Sequence, residues 1–391
     1  MPRIIQRGCH ARHRVHTAAL LCAVTLAGAP WAMMAQTTPA TASADGPRRV
    51  LRKTWVPMWR AGGTPDDTLF GWVREHVADA SQIYVLDAGT LELHAFSARD
   101  GAHRWSVGGR GSGPGQLKRP VDVALATGNT VGVLDPGNGR VSFYSTNGTF
   151  VRSVTVPEAA IANALCVFTD GSLLLLITSP SAFAVRMDSA GRATRRHAFP
   201  WPLNGGGNEF VSSATFIRGA PTGRCTAATT FGFGLAMFDE SGAVRTVPFV
   251  ERVAAPTFKK TKLSGGEYAI MLDKGDNAAL GGWRSGETTF VSFAGATYRG
   301  GIVDLYDPGG RYLASWTAPP EDRMFYANRR LYGLSSGGAT QKLRMWVDAA
   351  DTGRVLREAG RRPRGSPRAV SRPARPADTP VRRPPPANAP R

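Results

Sequence analysis

One pattern recurs along this chain and restricts its fold more than any other feature: a short β-type run, a polar turn closed by glycine, and a second β-type run. It is seen in "LHAFSARDGAHRWSV", "VSFYSTNGTFVRSV", "FAVRMDSAGRATRRHAF", "LAMFDESGAVRTVPF", "VDLYDPGGRYLASW" and "LRMWVDAADTGRVLREA". The turn glycines Gly101, Gly148, Gly191, Gly242, Gly310 and Gly353 are spaced by 47, 43, 51, 68 and 43 residues. Each unit alternates apolar and polar positions and closes through Asp-Gly, Asn-Gly or a similar pair, which accept the backbone angles of a tight hairpin. Further β-type runs precede several units: "QIYVLD", "TVGVLD", "SLLLLIT", "GGIVDLY" overlapping the fifth, and "RLYGLS". Helical periodicity is almost absent. A repeat of forty to fifty residues built from short strands reads as one four-stranded unit of a radial array, because a single unit cannot bury its own apolar faces. The expected fold is therefore all-β, a six-bladed β-propeller of four-stranded antiparallel blades over residues 50–360. The long spacing holds an insertion, Glu251 to Trp283, and the run Val50 to Trp59 is expected to supply a strand to the last blade and close the ring.

The second unit carries more detail. In "GGRGSGPGQLKRPVDVALATGNTVGVLDPGNGRVSFYSTNGTFVRSV" the positions Gly115-Gln116-Leu117, Pro120, Asp135, Asn138, Arg140, Val141, Phe143 and Asn147-Gly148 follow a glycine-rich lead-in. This resembles an NHL repeat, over about fifty residues. The first unit is a looser copy, with Asp87 in place of Asp135 but Thr90 and Glu92 in place of Asn138 and Arg140; units three to six keep only the hairpin. The resemblance implies a six-bladed propeller and selects no subfamily.

The glycine-rich stretch itself is no phosphate-binding loop: it has no Gly-Lys-Ser/Thr, no helical pattern follows, and Gln116 occupies the last glycine position required by G-x-G-x-x-G. It reads as the connector between blades, where glycine permits a sharp turn. In antiparallel blades this connector and the loop between second and third strands emerge on one face. Arg110, Gln116, Lys118, Arg119, Asp135, Asn138 and Arg140 are thus the candidate ligand-binding residues. The competing reading has Asp135, Asn138 and Arg140 bonding the turn and each other, and the basic residues solvated.

The chain's charge of +19 resides mostly at its ends. Residues 1–44 carry four arginines and no acid, residues 45–53 add +3, and residues 361–391 hold nine arginines against Asp378, which leaves +4 for residues 54–360. Four arginines before the apolar run Thr17 to Ala29 read as an export signal, residues 1–35, followed by a linker, 36–49. The stretch 361–391 alternates arginine and proline and is expected to be a disordered tail. The expected location is the periplasm or outside the cell, with no membrane span in the mature chain, which is expected to be a monomer. After export Cys166 and Cys225 remain; an oxidising compartment permits a disulfide between them, but nothing in the sequence requires it, and the favoured reading is two small buried residues.

The resemblance admits metal-dependent lactonase-like and lyase-like propellers. A calcium channel needs convergent carboxylates or amides, and a zinc channel needs histidines from different blades. His76, His94, His103 and His197 are few and clustered toward one end of the chain. No serine elbow or nucleophile–base pair stands out, and the adjacent acids Asp66-Asp67 and Glu321-Asp322 read as loop solubilisers. The near-neutral body and the export signal argue against nucleic acid. The expectation is a scaffold for a protein, peptide or glycan ligand, with no catalytic residue and no cofactor; calcium or zinc belongs to the enzyme alternative.

Overall fold

The computed structural model describes residues 48–62, 70–179, 181–201, 214–253, 257–262, 268–274, 277–294, 301–319, 321, 323–335 and 341–352. The expected signal, most of the linker and the arginine-proline tail lie outside these residues.

The chain opens with β1 (Val50–Leu51) and β2 (Trp55–Gly62). Blade one is β3 (Val73–Ala78), β4 (Gln82–Asp87), β5 (Glu92–Ser97) and β6 (His103–Gly108). Blade two is β7 (Asp122–Ala126), β8 (Thr130–Asp135), β9 (Arg140–Ser145) and β10 (Phe150–Thr155). Blade three is β11 (Ala162–Val167), β12 (Leu173–Ile177), β13 (Ala184–Met187) and β14 (Ala193–His197). Blade four is β15 (Ala214–Phe216), β16 (Arg224–Thr229), β17 (Gly234–Asp239) and β18 (Val244–Pro248). A separate two-stranded hairpin, β19 (Thr257–Lys262) and β20 (Tyr268–Lys274), follows. Blade five is β21 (Ala279–Ser285), β22 (Thr288–Phe293), β23 (Ile302–Tyr306) and β24 (Tyr312–Thr317). Blade six has β25 (Arg323–Ala327), β26 (Arg330–Ser335) and β27 (Lys342–Asp348). Within the blades every pairing is antiparallel, and the inner strands β3, β7, β11, β15, β21 and β25 contact one another in a closed ring. The fold is thus a six-bladed propeller. No helix of the described residues is long and apolar enough to cross a membrane.

The recurring glycine has a tertiary reason as well as a local one. In the first five hairpins it sits at φ between +71° and +90°, the left-handed region. Each such turn also rests on the outer strand of the preceding blade: a Cβ on Gly148 would meet the Trp105 ring at 2.9 Å, and one on Gly191 would meet Thr155 O at 2.2 Å. Apolar side chains between successive blades fill the core; Leu134, Val141, Leu165, Leu175 and Val185 form one such layer between blades two and three.

Three expectations need correction. The sixth hairpin does not close blade six among the described residues. β27 passes into a short 3-10 turn, Ala349–Asp351, and the outer edge is taken by β2, paired from Trp55↔Asp348 to Gly62↔Lys342. The N-terminal run closes the ring but divides in doing so: Val50 and Leu51 pair in parallel with Ser315 and Trp316 of blade five before β2 joins blade six. Finally, the expected insertion ends too late, because Ala279–Ser285 ("ALGGWRS") is the inner strand of blade five; its two glycines gave it the look of a loop.

The N-terminal latch is fixed by charge. The buried Arg48 guanidinium donates to Asp304 through Nε–Oδ1 and Nη2–Oδ2, both at 2.8 Å, contacts the Glu251 carboxylate, and lies 4.3 Å from the Phe293 ring centre. Burial alone would lower its pKa; Asp304 and Glu251 overcome that and raise it.

Candidate functional site

The face singled out by the sequence holds a tightly bonded frame. Asp135, fully buried at the end of β8, accepts from Lys118 N (3.0 Å), Arg119 N (2.8 Å) and Asn138 Nδ2 (2.8 Å). Asn138 Nδ2 also donates to Gly111 O at 2.9 Å, and Arg140 donates to Ser112 O, Gly113 O and Gln116 O at 3.1, 2.6 and 2.8 Å. Gln116 Oε1 accepts from Gly113 N at 2.9 Å. Asp87 does the same for blade one, accepting from Gly71, Trp72, Gly89 and Thr90 amides. The side chains of four candidate residues, Gln116, Asp135, Asn138 and Arg140, therefore bond to the connector or to one another, since a turn with so many backbone donors and acceptors needs internal partners. Arg110, Lys118 and Arg119 are exposed, and Arg119 Nη2 lies 3.4 Å from Ala160 O. At this mouth the half-buried Arg74 stacks 5.7 Å from the exposed Trp72 ring; burial foremost, then the Arg323 charge, push its pKa down.

Inside the ring is a charged cluster contributed by four blades, which the sequence reading did not single out. Arg218, just beyond β15, bridges to blade five through Arg218 N to Gly282 O (3.0 Å). Its guanidinium crosses the channel to Asp122 Oδ1 (2.7 Å), Glu75 Oε2 (2.9 Å) and Val123 O (2.8 Å). Arg323 Nη1 lies 3.5 Å from Glu75 Oε2, and Asp122 Oδ2 accepts from Leu165 N at 2.7 Å. Burial alone would raise the Glu75 carboxyl; Arg218 and Arg323 overcome it and hold it down to about 2. Burial raises the more deeply placed Asp122, which also feels the Glu75 charge. Burial lowers His76 to about 4; both its ring nitrogens are buried without a hydrogen-bond partner, and its ring packs edge-on to Phe325. A signal did exist: Asp122 heads the otherwise apolar run "DVALA", and Glu75 stands between Arg74 and His76 in "VREHVA", a polar triplet within an inner strand.

Above Arg218, at the C-terminal ends of the inner strands, the channel widens into a funnel. Its enclosed space is small, about 30 Å³, and reaches about 480 Å³ only when the open solvent at the mouth is counted. Val77, Leu165, Val167, Phe216 and Ile217 form apolar wall, while Arg224, Arg284, Thr226 and Thr289 supply polar groups. The connector frame lies at the opposite end, because Lys118 and Arg119 precede β7 whereas Ala124 and Leu125, late in β7, line the funnel. One funnel wall is cross-linked: Cys166 in β11 and Cys225 in β16 are disulfide-bonded, with Cα atoms 6.1 Å apart, joining blades three and four.

The other histidines are engaged elsewhere: His94 Nδ1 and His103 Nε2 share Ser106 Oγ at 2.7 and 2.8 Å, and His197 packs edge-on to Phe238 at 5.1 Å. Among the described residues no group of three or more His, Cys, Asp or Glu is placed to hold a metal ion. Glu321 differs from its expected role as a solubiliser: its side chain is buried and accepts from Trp346 Nε1 at 3.1 Å, with Arg344 Nε at 3.3 Å. Asp66, Asp67 and Asp322 lie outside the described residues.

No protein-family profile matches the chain, and no curated protein matches it. Solved structures do. A member of the DUF4221 family from Bacteroides vulgatus is similar over 75% of this chain and 97% of its own, at 11% identity and a TM-score of 0.48. A Bacteroides fragilis protein inferred to be exported is similar over 76% and 99%, at 13% identity and 0.45. Virginiamycin B lyase from Staphylococcus aureus is similar over 75% and 99%, at 9% identity and 0.45.

Proposed function

We propose that this chain is an exported, NHL-like propeller that binds a small ligand, or the end of a larger one, in the funnel above Arg218. The observation that carries this reading is the funnel itself: a shallow, open, part-apolar recess at the end of the channel, with a few polar groups placed to meet the end of a ligand. Its floor is closed, since the Glu75 and Asp122 carboxylates are turned toward Arg218 rather than upward as catalytic or metal-binding groups. Its walls are held by the Cys166–Cys225 bond and the Arg218 bridge, so binding needs little reorganisation. The NHL-like element of the proposal rests on the second unit, where Asp135, Asn138 and Arg140 bond the connector as that repeat's spacing implies. The N-terminal arginines and apolar run support export.

The test is a thermal-shift screen of residues 36–391 against amino acids, short peptides, oligosaccharides and small organic acids, run in parallel on Ala220→Trp, which fills the funnel mouth. A stabilising compound that acts on the native chain and not on the variant supports the reading; compounds that act equally on both, or none at all, refute it. Dialysis against EDTA is expected to leave the melting temperature unchanged. A fall in melting temperature, with release of near-stoichiometric calcium or zinc, would move the function to metal chemistry.

A further inference from the structure

The channel's arginines divide into two kinds. Arg218 and Arg323 face carboxylates, as do Arg48 and, further out, Arg186 with Asp170 at 3.1 Å. Arg284 and Arg224, both in the funnel lining, do not. Arg284 donates to Thr222 Oγ1 and Ala220 O, Arg224 donates to Pro308 O, and neither has an ion-pair partner among the described residues. These acceptors are neutral oxygens and use only two and one of the five N–H groups that a guanidinium carries.

That arrangement leaves positive charge at the mouth of a recess whose floor is balanced. Arg284 is half-buried, and burial lowers its pKa, which the Glu287 carboxylate partly restores and the Arg224 charge lowers again. Glu287 acts on Arg284 without forming an ion pair with it, and a half-buried cation in that position gains from an anion that enters with the correct geometry. The two residues come from different blades, Arg284 from β21 and Arg224 from the start of β16, beside disulfide-bonded Cys225. Behind them the buried Thr226 and Thr289 add hydroxyls, and Leu165, Phe216 and Ile217 form the apolar wall.

Resting on the reading of the funnel as the binding site, we infer that its ligand carries an oxyanion, a carboxylate or a phosphate, on an apolar body, with the oxyanion seated between Arg224 and Arg284. The guanidiniums give the anion paired, planar donors and the apolar wall takes the remainder. A divalent cation is repelled from the same mouth.

The experiment is calorimetric titration of residues 36–391 with benzoate, phenyl phosphate, benzyl alcohol and inorganic phosphate, on the native chain, Arg284→Gln, Arg284→Lys and Ala220→Trp. Benzoate or phenyl phosphate is expected to bind at least about tenfold more tightly than benzyl alcohol, and to weaken as salt is raised. The tighter of the two identifies the oxyanion, and inorganic phosphate alone is expected to bind more weakly than phenyl phosphate for want of the apolar body. Arg284→Gln should lose about tenfold or more while melting as the native chain does, and Arg284→Lys should retain part of the affinity, as a point charge without the fork. Equal binding of benzyl alcohol and benzoate, abolished by Ala220→Trp, overturns the oxyanion and leaves the funnel as the site. Anion binding that survives both Ala220→Trp and Arg284→Gln removes the funnel itself. No binding of any probe overturns the inference.

Discussion

Reducing the Cys166–Cys225 bond tests how far the seam between blades three and four depends on a covalent tie. The bond closes a loop of 59 residues' separation between β11 and β16, and a parallel bridge joins Phe168, just after β11, to Thr222, just before β16. The chain-entropy relation for a loop of this length gives a stabilisation of about 4 kcal/mol, through restriction of the unfolded chain. For a cooperative unit of about 300 residues, at about 2.1 cal/mol/K of unfolding entropy per residue, this is a fall of about 6 °C in melting temperature. Cys225 is fully buried and reduction leaves both side chains in place, so the change reports the cross-link and not a cavity. The assay is differential scanning fluorimetry of residues 36–391 with and without TCEP, beside a Cys166→Ala/Cys225→Ala variant that should be indifferent to reductant. A shift below about 2 °C, well short of the entropic value, would refute the reasoning. So would two titratable thiols in the denatured, unreduced protein.

Protonation supplies a second test. The folded pKa of His76 lies near 4, below its unfolded value, so the unfolded chain binds the extra proton first as pH falls and stability drops from about pH 6.5 toward 4. The loss should reach about 3 kcal/mol in urea melts across that window, and His76→Phe should flatten the difference. Arg48→Met leaves Asp304 buried without its cation and should cost about 3–5 kcal/mol, with most of it recovered when Asp304→Asn is added; a cost under about 1 kcal/mol in chemical denaturation would show that the latch is dispensable. Asp135→Ala removes the acceptor for three donors and should cost about 2–3 kcal/mol, with hydrogen exchange faster at the Lys118 and Arg119 amides than elsewhere in blade two.

The repeat was readable because hairpins are local. Asp-Gly and Asn-Gly turns, alternating strands and the connector bonded to Asp135 involve residues close in sequence, so period and blade number follow from spacing alone. The sequence by itself thus determined a ring of six β units and the loops that share one face. Only the tertiary structure decided which polar groups meet. Arg218 and Val123 are 95 positions apart and Arg48 and Asp304 are 256 apart, yet each pair is joined by hydrogen bonds because the blades are radial and the ring closes on its own N-terminus. Closure also determined that β2 borders β27. The funnel belongs to the same class: Arg224 and Arg284 are ordinary surface arginines in sequence. What distinguishes them is a neighbourhood assembled from separate blades, in which the arginines below form ion pairs with carboxylates and these two hydrogen-bond to neutral oxygens.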